Sequence, residues 1–357
     1  MKIIINTPII NIPAGVANHY LGLKEFFSKK IIYNQYIPGA SIKQKYGIII
    51  YCCLIPILKV SDTLKFIFLI IVNNKPIILL NPSFSKSALK RDAFFTQIAK
   101  FFGCKVAVFM HGWDKVYLKK VFEKEELLSN AWYKVDAFFV LASEFKDYLL
   151  LLNIQAPIHF TTTKVNDELI EGMPQKRITE LNTILFLARI EKTKGIYTAI
   201  ETFEILSKKY PDIQLRIVGR GSLLNEVIEY TKNKNIKNII FRGPLAGNEL
   251  KQEFIKADIY ILPTHGEGMP TSVLEAMAFG LPIVTRPVGG LNDFFENDKM
   301  GYMIESLDPN DFAEKIELLM IDVNKADQIS QYNAKYAKEH FMASKIAPVI
   351  ETTLINI

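Results

Sequence analysis

His265-Gly266-Glu267-Gly268-Met269-Pro270-Thr271-Ser272-Val273-Leu274-Glu275-Ala276-Met277-Ala278 is the stretch on which the reading of this chain turns. The apolar run Ile259-Tyr260-Ile261-Leu262-Pro263 precedes it and reads as a buried parallel strand. Residues 264–268 form a turn by composition, and Pro270 suits a first helical position, where a missing N–H costs nothing. Val273, Leu274, Met277 and Ala278 then recur at helical spacing. The unit is therefore strand, glycine-rich loop and helix N-terminus, with Glu267 and Glu275 eight residues apart. Free amides and the positive end of a helix dipole favour an anion such as a phosphate at that corner. Glu267 sits at the loop mouth, and Glu275 lies about two turns into the helix. Alone, the stretch also admits a plain helix start with a surface Glu at each end.

Working outward, the same design recurs on both sides. The strand at 183–187 runs into Ala188-Arg189-Ile190-Glu191-Lys192-Thr193-Lys194-Gly195 and a helix from Ile196. Arg189 and Lys194 bracket this turn and can converge on one pyrophosphate, or stand as solvated loop charges. The strand at 213–218 leads to Gly219-Arg220-Gly221 and a helix from Leu223. Ile239-Ile240-Phe241 leads to Arg242-Gly243-Pro244-Leu245, and the strand at 282–285 is followed by Gly289-Gly290.

The first half has the same alternation with fewer glycines. A strand over the first nine residues runs into Pro13-Ala14-Gly15 and a helical pattern through Phe27. Gly-x-Gly-x-x-Gly is absent, so this corner is not a dinucleotide fingerprint. Strands follow at 76–80, 104–110, 137–141 and 157–160, with helices at 84–102 and 143–152. His111-Gly112-Trp113-Asp114 stands at the carboxyl end of a strand, where open α/β sheets bind ligands. Residues 161–174 are polar and read as an interdomain hinge. The last segment, 336–357, has a helical pattern interrupted at Pro348.

At 357 residues, 49% hydrophobic and 22% charged, the chain suits two globular domains with a core each. Residues 1–165 carry 21 Lys+Arg against 10 Asp+Glu, and the remainder 22 against 27. A basic first half suits an anionic partner, or is simply a lysine-rich solvated surface. Cys52, Cys53 and Cys104 make neither a disulfide framework nor a metal-ligand spacing, which fits a reducing cytoplasm. The N-terminal apolar run is too short for a signal peptide. Residues 47–72 hold two apolar runs separated by Lys59, Asp62 and Lys65, each shorter than the ~18–20 residues a spanning helix needs. Burial in an α/β domain is the favoured reading, and an interfacial segment on a bilayer the alternative. No aromatic and basic interleaving suggests nucleic acid.

Glu267-x7-Glu275, followed by Ala276-Met277-Ala278, Gly280 and Pro282, resembles the retaining GT-B glycosyltransferases of the "group 1" family, including those of bacterial capsule and O-antigen assembly. The resemblance is close over most of residues 183–305 and looser over the first 170. It implies an α/β fold of the GT-B kind, two Rossmann-like domains facing each other across a cleft. Residues 1–170 would form the acceptor domain, joined by a C-terminal helix at about 345–357, and residues 171–344 the donor domain.

The resemblance further implies a hexosyltransferase moving a sugar from a UDP- or GDP-linked donor to a saccharide, lipid-linked in many members, with retention at the anomeric carbon. Glu267 and His111 would lie at the transferring sugar. Gly15, Arg189, Lys194, Gly219, Gly221, Gly243, Gly268, Met269, Thr271, Ser272 and Glu275 would bind the donor, with Arg189 and Lys194 on the phosphates and Glu275 on the ribose. Departures are Ala14 and Ala188 for family glycines, and Val165-Asn166-Asp167 for a hinge Asn-Gly pair. No Asp-x-Asp occurs, so the acidic metal clamp of the other major glycosyltransferase fold is missing, and no metal or cofactor is expected. The expected setting is the cytoplasm, with peripheral attachment to an anionic inner membrane surface. The alternatives are another GT-B chemistry, phosphorylase or epimerase, and a degenerate, non-catalytic transferase subunit.

Overall fold

The computed structural model describes residues 1–9, 15–37, 39–173 and 176–357, with residues 39–53 as backbone only. The turn at Pro13-Ala14, the side chains of Cys52 and Cys53 and of the first apolar run through residue 53, and Pro174 lie outside the described residues. Contacts divide the chain into two compact units, Met1–Thr162 with Ala343–Ile357, and Thr163–Met342.

The first unit runs β1 (Ile3–Pro8), α1 (Gly15–Leu23), β2 (Ile31–Tyr36), α2 (Gly39–Val72), β3 (Ile77–Leu80), α3 (Lys86–Phe101), β4 (Val106–Met110), α4 (Lys115–Phe122), β5 (Ala137–Val140), α5 (Ser143–Leu151) and β6 (Ile158–Phe160). All strands are parallel, in the order β2-β1-β3-β4-β5-β6. β1, β3, β4 and β5 are buried at every residue, as a parallel sheet covered on both faces requires. β2 escaped the sequence reading. It is an edge strand in which only Asn34 and Tyr36 are fully buried, and its short apolar start, Ile31-Ile32-Tyr33, gives way to Asn34-Gln35.

Two expectations need correction here. Residues 47–72 belong to one helix, α2, with Pro56 inside it, and burial holds on one face only. Phe66 and Ile70 are buried, and the Phe66 ring meets Phe95 of α3 at 4.8 Å. Leu64 and Phe68, on the other face, are each 62% exposed. A helix apolar all round needs cover on both sides, and the sheet supplies one.

In the second unit come α6 (Asp167–Ile170), β7 (Thr183–Leu187), α7 (Ile196–Lys209), β8 (Gln214–Val218), α8 (Leu224–Asn233), β9 (Ile239–Gly243), α9 (Gly247–Lys256), β10 (Ile259–Leu262), α10 (Thr271–Ala278), β11 (Ile283–Thr285), β12 (Gly301–Met303), α11 (Pro309–Ile321) and α12 (Val323–His340). The parallel order is β12-β11-β10-β7-β8-β9. Chain order reverses between β7 and β10, the kind of switch point at whose carboxyl ends open α/β sheets bind ligands.

The second correction concerns the C-terminus. Pro348 lies inside α13 (Ala343–Ile355), and the break falls at Phe341-Met342. Both residues are buried, and Phe341 accepts a hydrogen bond from Val165 N at 2.7 Å, which ends α12 in the second unit. α13 then packs in the first unit beside α1, where Glu351 accepts from Ser28 N at 2.9 Å.

Candidate functional site

The carboxyl ends of β7 and β10 carry two loops fastened backbone to backbone. Gly195 has φ +74, and a Cβ there would lie 2.0 Å from the Pro263 carbonyl oxygen. Only glycine allows both that conformation and that approach. His265 N donates to Thr193 O at 2.9 Å and the Thr264 hydroxyl to the same oxygen at 3.2 Å. This closure carries Lys194 to Glu267. Their Nζ and Oε1 are 2.5 Å apart, with side chains 13% and 18% exposed, and the Thr264 hydroxyl, sharing its one proton with Thr193 O, lies 3.3 Å from the same carboxylate oxygen.

Arg189 goes elsewhere. It is exposed, and its Nη1 lies 3.0 Å from Glu191 Oε1 on its own loop. The structure therefore brings Lys194 to Glu267 and leaves Arg189 at the surface, without joining the two cations. Gly219 and Gly221, after β8, lie directly over the carbonyls of Ala188 and Ile190. Gly243 closes β9 and accepts from Gly219 N at 2.9 Å.

α10 starts at Thr271, so Pro270 is its N-cap, with φ −73 and ψ 102, and not its first helical residue as the sequence suggested. The first-turn N–H groups of Thr271 and Ser272 lack intrahelical acceptors by geometry, and no side chain caps them from Pro270. They point the positive end of the helix dipole into the loop. Gly268 is held from behind by Gly290 N, which donates to its carbonyl at 2.8 Å. Met269 O accepts from Thr163 Oγ1 at 3.5 Å, a long contact.

Glu275 is the most perturbed acid of the site. Burial pushes its carboxyl up to about 7, against a lowering influence from Lys164. Lys164 is only 5% exposed, is itself lowered by burial against the pull of Glu275, and donates to Asn166 Oδ1. Sequence reading missed Lys164, because a lysine in a polar linker gives no sign of burial. It also missed Tyr260, whose hydroxyl donates to Leu187 O at 3.0 Å and lies 2.7 Å from Ser272 Oγ. A phenol inside a buried strand needs such a partner, which is the signal that could have found it.

In the first unit, His111 follows β4 and its ring stacks on Phe109 at 3.9 Å. Asn81, which follows β3, organises it. Asn81 Nδ2 donates to Asn6 O at 3.0 Å, so its Oδ1 faces the Tyr20 hydroxyl at 2.6 Å and His111 Nε2 at 2.9 Å. With Oδ1 as acceptor, Nε2 carries the proton and Nδ1 keeps its lone pair. Burial drives the His111 pKa down to about 3, so the ring is neutral. Asn81 and Tyr20 are further residues absent from the sequence reading. Gly15 opens α1 with nothing near its Cβ position. Among the described residues no group of three or more His, Cys, Asp or Glu could hold a metal ion.

Comparison with known proteins gives this geometry a context. Residues 171–336 match the family described as glycosyl transferases group 1. The chain is 29% identical over 160 residues to a D-inositol 3-phosphate glycosyltransferase of Paenarthrobacter aurescens, covering 43% of this chain and 39% of that protein. It is 27% identical over 220 residues to the capsular polysaccharide biosynthesis glycosyltransferase CapM of Staphylococcus aureus, covering 59% and 56%. The chain thus spans about half or less of the length of these relatives. The solved structure of Anabaena HepE with UDP superposes over 100% of both chains with a TM-score of 0.75 at 14% identity. That likeness shows the two-domain GT-B fold.

Proposed function

From a chain whose residues 171–336 match the group 1 glycosyl transferases and whose fold is GT-B, we propose a retaining glycosyltransferase that uses a nucleotide-sugar donor. The observation that carries the reading is the β10–α10 loop at the switch point. There a fixed carboxylate, Glu267, stands beside uncapped helix amides and a half-buried second carboxylate, Glu275. The diphosphate of the donor lies against Thr271 N and Ser272 N, and Arg189 exchanges its exposed Glu191 partner for the phosphate, so that together they offset the charge that grows on the leaving group. Glu275 accepts the ribose hydroxyls. Glu267, its rotamer fixed by Lys194 and Thr264, accepts from the hydroxyls of the transferring sugar.

In the transfer, the bond from the anomeric carbon to the diphosphate oxygen breaks and its electron pair leaves with the nucleoside diphosphate. An acceptor hydroxyl forms the new bond on the same face and passes its proton to the departing phosphate oxygen. Charge stabilisation comes from Arg189 and helix amides, and the reading assigns no step to a metal. His111, neutral and oriented by Asn81, offers Nδ1 as an acceptor for a sugar hydroxyl.

The acceptor in this reading is a lipid-linked saccharide of cell-surface polysaccharide assembly, met at the cytoplasmic face of a membrane. The first unit supports it with 21 Lys+Arg against 11 Asp+Glu, a net +10 suited to an anionic surface. The test is calorimetry of the full chain with UDP, GDP and their sugars, followed by NMR of the product anomer. Binding of none of these nucleotides sinks the reading, and an inverted anomer sinks the retaining part of it.

A further inference from the structure

The transfer chemistry makes no use of the uncovered face of α2. Leu54, Ile57, Val60, Leu64, Phe68 and Ile71 are between 38% and 65% exposed. At the helical angle per residue they share an arc of about 120°, and the row runs ~26 Å. The same helix buries Phe66 and Ile70 in the unit core, so the row is held on a fixed support. A continuous apolar row of this size on a folded unit marks an interaction surface.

Charge identifies what covers it. Of the charged side chains described on α2, Lys59 and Lys65 stand against the single acid Asp62, in a unit of net +10. Two copies of such a unit repel, whereas anionic lipid attracts both the lysines and, through its acyl chains, the apolar row. Among the described residues no helix is long and apolar enough to cross a membrane. We propose that α2 lies in the plane of an anionic phospholipid bilayer, the Leu54-to-Ile71 row immersed at the headgroup–acyl boundary. Lys65 borders the row by helical register and sits at headgroup level. The proposal deepens the membrane reading above by naming the face that makes contact, and it does not depend on which sugar is transferred.

Sedimentation of the full chain with phosphatidylglycerol-containing vesicles, against pure phosphatidylcholine, tests it. The wild-type chain is expected to bind the anionic vesicles at low salt, and the double variant L64E/F68E to bind at least tenfold less. Both substituted side chains are exposed, so UDP affinity by calorimetry should not change in that variant. Phe68→Trp should show a blue-shifted emission when anionic vesicles are added. Equal vesicle binding by wild type and L64E/F68E overturns the assignment of the face, and no binding by wild type overturns it altogether. A lipid-free dimer that L64E/F68E abolishes would assign the row to a second copy of this chain instead. Loss of UDP binding in the wild-type chain, by contrast, would remove the transferase reading and leave the bilayer result standing.

Discussion

Lys194 Nζ lies 2.5 Å from Glu267 Oε1, a pair formed between side chains 73 residues apart and mostly withdrawn from water. Each is the other's charge partner, so removing either leaves an uncompensated group in a semi-buried loop. Lys194→Ala and Glu267→Ala are each expected to lower unfolding stability by about 1–3 kcal/mol, and the double variant by less than the sum. Arg189→Ala, at an exposed position, should leave stability unchanged and weaken nucleoside-diphosphate binding by about 1.5–3 kcal/mol. Denaturant titration and calorimetry on the same four variants check both statements. Strict additivity of Lys194 and Glu267 would mean the pair is absent in solution.

Glu275 gives the site a pH dependence with a definite sign. Burial raises its carboxyl from 4.5 to about 7, so the acid is half-ionised near neutrality. If the carboxylate receives the ribose hydroxyls, nucleotide affinity should rise with pH by up to about tenfold per unit below 7 and level off above it. The stability effect runs the other way. A folded value above the unfolded one favours the fold at low pH, and that stabilisation fades as pH rises from 4.5 through 7. Glu275→Gln should therefore flatten the affinity profile and show a higher Tm than the wild type at pH 8. An unaltered profile in the variant would remove Glu275 from the nucleotide site.

Gly289 presses on the loop that carries Glu267. Its φ is +49, and a Cβ would stand 2.2 Å from Gly268 O and 2.4 Å from Glu267 O. Gly289→Ala must shift the loop, adding a left-handed strain of about 1–2 kcal/mol. The expected outcome is nucleotide affinity lowered at least tenfold, with Tm reduced. Gly15→Ala, with open space at its Cβ position, should fold as the wild type does. Wild-type affinity in Gly289→Ala would show that the loop position does not matter for binding.

Asn81 should matter for turnover more than for nucleotide binding. Its Oδ1 receives both Tyr20 and His111, so Asn81→Leu leaves the buried Tyr20 hydroxyl without its acceptor and frees the imidazole to rotate. A stability loss of about 1–3 kcal/mol and a fall in kcat at unchanged UDP affinity are expected. With its pKa near 3, His111 should show no titration between pH 5 and 8 by nitrogen NMR, and its proton should reside on Nε2. A His111 that titrates between pH 5 and 8 would contradict the neutral ring.

What the sequence determined by itself was the alternation of apolar strands and helices, and with it two parallel α/β sheets. Ile259-Tyr260-Ile261-Leu262 is readable because a strand covered on both faces must be apolar throughout. The loop and helix after it are readable because glycine and helix spacing are local properties. β2 was not readable, since an edge strand half open to water carries no such run. The tertiary structure alone decided which neighbours meet. Lys194 reaches Glu267 because β7 pairs with β10, which brings two loops together that the chain keeps far apart. Burial of Lys164 beside Glu275, the hold of Asn81 on His111, and the uncovered face of α2 have the same origin. Periodicity says which face of an element avoids water, and packing across the whole sheet decides what covers it.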